Sequence, residues 1–216
     1  GLDIDPLSVA IARAKMEIWQ MTSHKFAEQT EHIVQSLNHQ SSKQLELFAP
    51  SQAVTSHTTL VFPKWLMKNR RMTSDIASTL GKEIDILRTA IAVCEPSARK
   101  LFRVFMSDAI TRKIRMRFLG TGVGRFSLTF ARDSIPQLFM QAVRKYVKTL
   151  AVYDVLHDEI NLHFADADVL EIDARSLPAS LGTFDILLTS PPYLPAASGR
   201  ESYAMARAPS LIATGL

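Results

Sequence analysis

Phe184-Asp185-Ile186-Leu187-Leu188-Thr189-Ser190-Pro191-Pro192-Tyr193 joins a short apolar run to two consecutive prolines, and no other segment restricts the fold as tightly. Ile186, Leu187 and Leu188 form the pattern of a strand buried on both faces of a parallel sheet, with Asp185 closing the turn into it. The prolines carry no N–H and fix φ near about −65°, so the chain has to leave the sheet in a stiff, extended turn. Ser190 and Tyr193 then stand at the carboxyl end of a strand, where open α/β sheets bind their ligands. A hydroxyl, proline carbonyls and an aromatic face at that point suit a planar amine. Taken alone, the four residues read equally well as a Pro-Pro loop with a buried tyrosine.

Two other segments end in the same way. Residues 168–173 form a second short strand closed by an acid, Asp173, and seventeen positions separate it from Ser190. That interval holds a turn, a short helix and the next strand. At the amino terminus, Gly1-Leu2-Asp3-Ile4-Asp5-Pro6 reads as the end of a further strand. Leu7 to Lys15 then reads as a helix, with Asp5 as N-cap and Pro6 in its first turn. Strand–acid–helix, strand–acid and strand–Ser-Pro-Pro-Tyr give three strand ends of one nucleotide-binding sheet, an α/β fold.

In this order the three segments resemble the S-adenosylmethionine-dependent amino-methyltransferases of nucleic acids, the class marked by S-P-P-Y or D-P-P-Y. The match covers about 1–20 and 165–216. The resemblance implies a Rossmann-like methyltransferase sheet, with S-adenosylmethionine as cofactor. It implies that Asp3, with Asp5 beside it, binds the cofactor ribose. Asp173 and Ala174 would border the adenine, and Ser190, Pro191, Pro192 and Tyr193 would hold the target base. The family's first strand and glycine-rich loop are expected upstream of Gly1. The sheet is therefore incomplete, and the chain reads as part of a longer enzyme whose remainder it needs.

The implied chemistry is specific. An exocyclic base nitrogen is conjugated with its ring and nucleophilically poor. Hydrogen bonds from its N–H groups to the Ser190 hydroxyl and the Pro191 carbonyl would draw it toward tetrahedral geometry, and Tyr193 would stack on the flipped base. Methylation of cytosine carbon would instead want a Pro-Cys nucleophile, which the sequence lacks. Ser at position 190 leans, by resemblance, to the cytosine amine, then adenine; guanine-amine methylation of RNA stays open. The implied setting is DNA modification of the restriction–modification kind, in the cytoplasm. A non-catalytic remnant that only binds nucleic acid is the alternative from a different class.

Composition sets the frame. The 216 residues suit one domain with an inserted lobe, and the hydrophobic fraction of 47% with 21% charged residues is that of ordinary globular chains. No apolar run reaches the roughly 20 residues of a membrane span, so no membrane partner is expected. A lone Cys94 excludes an intramolecular disulfide and fits a reducing compartment. Six scattered histidines and Cys94 lack metal-ligand spacing, so no metal is expected.

The net charge of +4 conceals an asymmetry. Between Arg99 and Lys148 stand twelve Lys or Arg against Asp108 and Asp133, a net +10, leaving −6 for the rest. A basic segment in an acidic remainder is what binding a phosphate backbone requires, and DNA is the expected partner over RNA. Arg112, Lys113, Arg115, Arg117 and Arg125 are its candidate contacts, joined by Arg200 at the pocket mouth, where Tyr203 and Arg207 also stand. A solvated helical face is the plainer explanation of such a run.

The intervening pattern is helical. Lys25 to Leu37 prolongs a helix, and a loop is expected from Ala49 to Thr59. Pro63-Lys64-Trp65-Leu66 opens a long helical region carrying Leu80, Ile84, Leu87 and Ile91, broken at Glu95-Pro96. Further helices are expected from Ser97 to about Arg117 and along Ile135, Leu138, Phe139, Ala142, Val143, Tyr146, Val147 and Leu150. Gly120-Thr121-Gly122-Val123-Gly124-Arg125 mimics a cofactor loop, but no acid-ended strand follows, so a mobile loop between two basic helices is expected. Trp19 and Trp65 read as packing residues. The organisation is thus 1–21 core strand and helix, 22–158 a mostly helical basic insertion between the second and third strands, and 159–216 the third and fourth strands with the target-base motif.

Overall fold

A computed structural model describes residues 2–3, 5–19, 21–46, 60, 62–119, 126–160, 168–173, 175–186, 188 and 199–215. It is a mixed α/β structure, dominated by helices. In chain order come β1 (Leu2–Asp3), α1 (Pro6–Trp19), α2 (Ser23–Glu46), α3 (Lys64–Met67), α4 (Ser74–Ala92), α5 (Pro96–Lys113), β2 (Ile114–Phe118), β3 (Phe126–Phe130), α6 (Ile135–Ile160), β4 (Leu170–Glu171) and α7 (Gly199–Thr214). None of the described helices is long and apolar enough to cross a membrane.

Helix α5 is the hub. Pro96 opens it, where the missing N–H costs nothing, and Ala98, Leu101, Phe102, Met106, Ala109 and Ile110 form its buried stripe. It packs against α1, α4, α6 and α7. Across this core Phe102 lies 5.5 Å from Phe26 of α2 and 6.0 Å from Phe139 of α6, ring centre to ring centre. Tyr146 of α6 meets Phe26 edge-on at 5.6 Å. The α6 stripe expected from its spacing is buried at Ile135, Leu138, Phe139, Val143 and Leu150, with Arg144, Lys145 and Lys148 exposed. Leu80, Ile84, Leu87 and Ile91 are the buried face of α4. Thr73 caps that helix by accepting the Ile76 N–H at 3.3 Å.

Four expectations are corrected. The helix from Ser97 stops at Lys113, not Arg117, and Ile114–Phe118 is a strand. It pairs antiparallel with β3, from Ile114↔Phe130 to Phe118↔Phe126. The physical reason lies in the period: Ile-Arg-Met-Arg-Phe alternates apolar and cationic residues every two positions, which a helix cannot sort onto one face. Hence the glycine-rich stretch joins two strands, not two basic helices; its residues 120–125 lie outside the described set, as does the loop expected over 49–59. The long helical region from residue 64 is likewise split, with the single turn of α3 separated from α4 by residues 68–73.

The fourth correction concerns the opening run. Ile186 and Leu188 are 84% and 94% exposed, and neither belongs to a strand. Hydrophobicity makes a buried strand only where a neighbouring strand offers a ladder, and among the described residues none pairs with this run. Leu187 lies outside the described set.

The short parallel pair is positioned by α1. β1 pairs with β4 through Leu2↔Leu170 and Asp3↔Glu171, although 166 residues separate the strands. Arg13 of α1 donates from Nε and Nη2 to the Val169 carbonyl at 2.9 and 2.7 Å, fixing β4 against the helix. Helix α7 returns across α5, where the Ser210 hydroxyl donates to the Ser107 carbonyl at 3.2 Å.

Candidate functional site

The parallel register brings two of the acid-bearing strand ends to one edge. Asp3 ends β1, and Ile172 donates to its carbonyl at 3.1 Å, so the ladder continues to the residue before Asp173. Two parallel strands share their carboxyl ends, so Asp3 and Asp173 emerge at the same edge.

Their carboxylates differ in occupation. Asp3 is exposed; its Oδ1 accepts the Asp5 N–H at 2.9 Å, and its Oδ2 accepts no hydrogen bond among the described residues. Asp5 is fully engaged. It caps α1 through the Leu7 N–H at 3.0 Å and the Ser8 hydroxyl at 3.1 Å, as its position before Pro6 led one to expect. It also forms an ion pair with Arg207 of α7. Arg207 reaches Ser8 Oγ at 3.2 Å as well, which ties the last helix to the first strand–helix turn. Partial burial lowers the Arg207 pKa, and the nearby Asp3 charge pulls it the other way.

Asp173 is held by Arg175. Its carboxylate accepts the Arg175 backbone N–H at 2.9 Å, Nε at 3.0 Å and Nη2 at 2.5 Å. These hydrogen bonds lower its pKa from 3.8 to about 2 and raise that of Arg175. Asp173 is therefore an anion at any physiological pH, with its acceptor capacity largely turned toward its own turn.

The remaining expected site residues fall in two groups. Ala174, Ser190, Pro191, Pro192, Tyr193 and Arg125 lie outside the described residues. Arg200 lies in the first turn of α7, and only its backbone is described.

The basic segment is sorted by the hairpin. Arg112 bonds Gln141 Oε1 at 2.7 Å and pairs with Asp108 at 3.6 Å. Lys113 donates from Nζ to the Ala131 and Asp133 carbonyls, each at 2.9 Å, closing the foot of the hairpin. Both therefore make internal contacts. Arg115 and Arg117 are exposed on the outward side of β2. Trp65 is a packing residue as expected, meeting Phe126 edge-on at 5.6 Å, while the Trp19 side chain lies outside the described set. Cys94 is buried; burial raises its pKa, with Arg99 opposing, so the thiol is a poor nucleophile. Arg13 and Arg207, the two cations that build the β1–β4 edge, were not singled out for that task in the sequence. Their signal was faint because each partner is distant in sequence, Val169 for Arg13 and Asp5 for Arg207.

S-adenosylmethionine meets a partial fit here. Asp3 Oδ2, which accepts no hydrogen bond among the described residues, stands at a strand's carboxyl end and could accept from a ribose hydroxyl. The Asp173 carboxylate is exposed enough to border an adenine but already bonds Arg175. No protein-family model, no curated protein and no solved structure matches the chain.

Proposed function

We propose that this chain carries the cofactor edge and target-base motif of an S-adenosylmethionine-dependent methyltransferase acting on the exocyclic amine of a DNA base, cytosine first and adenine next. The observation that carries the reading is the parallel β1–β4 register, which sets Asp3 and Asp173 at one strand edge. On this reading β1 and β4 are the second and third strands of a Rossmann-like sheet, interrupted by the helical insertion. Ser190-Pro191-Pro192-Tyr193 follows Asp173 by seventeen positions.

The residues divide the work. Asp3 accepts the cofactor's ribose hydroxyls, and the turn at Asp173 flanks its adenine. The cofactor supplies an electrophilic methyl group. The Ser190 hydroxyl and Pro191 carbonyl accept the N–H groups of the target amine, which frees its lone pair. Tyr193 stacks on the base outside the duplex, worth about 1–3 kcal/mol. Ile186 and Leu188 are exposed and outside any strand, which favours a second reading in which the basic segment binds nucleic acid and the sheet is a non-catalytic scaffold.

Calorimetric binding of S-adenosylmethionine separates the roles, using protein expressed from the full reading frame that encodes this chain. Asp3→Ala is expected to weaken binding by about 10- to 100-fold, the loss of a charge-assisted hydrogen bond. Tyr193→Ala should leave that affinity within about threefold and abolish transfer. Undiminished binding by Asp3→Ala contradicts the assignment of the edge.

A further inference from the structure

Pairing in the β2–β3 hairpin sets Arg115 opposite Thr129 and Arg117 opposite Ser127. The alternate positions turn the other way: Ile114 and Leu128 are buried, and Met116, Phe126 and Phe130 pack on the core. Period-2 alternation thus gives the ribbon an apolar side against the helices and an outer side of two guanidiniums and two hydroxyls. Arg115, Arg117 and Thr129 are exposed and Ser127 half-buried. Trp65 and Asn69 brace the turn end of the ribbon, the latter donating from Nδ2 to the Phe126 carbonyl at 3.2 Å.

Among the described residues this outer side has no ion-paired acid. No acid occurs from Ala109 to Arg132, a stretch with six Lys or Arg. Among the described residues neither Arg115 nor Arg117 forms an ion pair, and Arg115 makes one hydrogen bond, from Nε to the Arg112 carbonyl at 3.3 Å. Two like charges on one strand face repel, and a polyanion relieves that repulsion.

We infer that the outer face of this hairpin seats in the major groove of double-stranded DNA; this deepens, and rests on, the methyltransferase reading above. The B-DNA major groove, about 12 Å wide and 8.5 Å deep, admits a two-stranded ribbon whose strands lie about 4.8 Å apart. Arg115 and Arg117 stand about 7 Å apart along the strand, roughly two base-pair rises of 3.4 Å. Guanidinium and hydroxyl groups suit both phosphates and base edges. The A-form groove of duplex RNA is too deep and narrow for side chains to read, so the fitting substrate class is duplex DNA.

Fluorescence anisotropy on protein from the full reading frame tests this, comparing a short DNA duplex with the RNA duplex of the same sequence. Wild-type protein is expected to bind DNA about tenfold or more tightly than RNA. Arg115→Gln/Arg117→Gln should remove that preference and flatten the log–log salt slope by about 2. Thr129→Glu, which sets an acid opposite Arg115, should weaken DNA binding independently, and Arg144→Gln/Lys148→Gln on α6 should preserve the preference. Equal binding of the two duplexes by wild type overturns the inference, as does an intact preference in the hairpin variants. Methyl transfer by the wild-type protein, read in parallel, separates the ribbon from the enzyme. Transfer without a duplex-DNA preference overturns the ribbon alone; a duplex preference without transfer to any substrate overturns the methyltransferase reading instead.

Discussion

Asp173 and Arg175 are two residues apart, and their pairing decides how the candidate adenine edge is charged. The carboxylate sits at a pKa of about 2 because its acceptors meet three donors of one arginine. A depressed carboxylate pKa contributes stability above the ordinary value of 3.8 and loses it as pH falls through about 2. The pair therefore acts fully at neutral pH and fades only in strong acid. Arg175→Gln should return the Asp173 carboxyl toward its ordinary pKa, read by carbon NMR across pH 2 to 5. An unmoved titration would show that something other than Arg175 holds the proton off. Asp5 makes a related point: its place before Pro6 was legible as a cap, while its ion pair with Arg207 spans 202 positions and has no local signature.

At the scale of elements, periodicity told most of the truth and failed where charge distracted from it. The α6 stripe and the α4 face were readable because buried residues recur at helix spacing over many turns. Ile114 to Phe118 alternates with period 2, but its arginines extend a cationic run begun on α5, and charge continuity masked the change of period. The consequence is measurable. Leu128 is 2% exposed and faces the core, whereas Thr129, next along β3, faces out. In urea unfolding, Leu128→Ala should cost about 2–5 kcal/mol and Thr129→Ala within about 0.5 kcal/mol. Equal costs would contradict the alternation. Ile186 to Leu188 errs in the opposite sense, since an apolar run specifies burial only with a partner strand beside it.

Across the whole molecule, a helical body built around α5 carries a two-residue parallel pair and a cationic hairpin. The link between Leu2 and Leu170 was legible only through the order of acid-ended segments, because pairing over such a separation leaves no local pattern. Arg13 and Arg207 then secure that link from α1 and α7. On the proposed function, this arrangement serves amine methylation of a DNA base. Its most direct test is mass spectrometry of nucleosides from duplex DNA incubated with S-adenosylmethionine and protein from the full reading frame. N4-methylcytosine is expected with the wild-type protein, and none with Ser190→Ala. Unmodified DNA from the wild-type reaction, or wild-type methylation by Ser190→Ala, would contradict it.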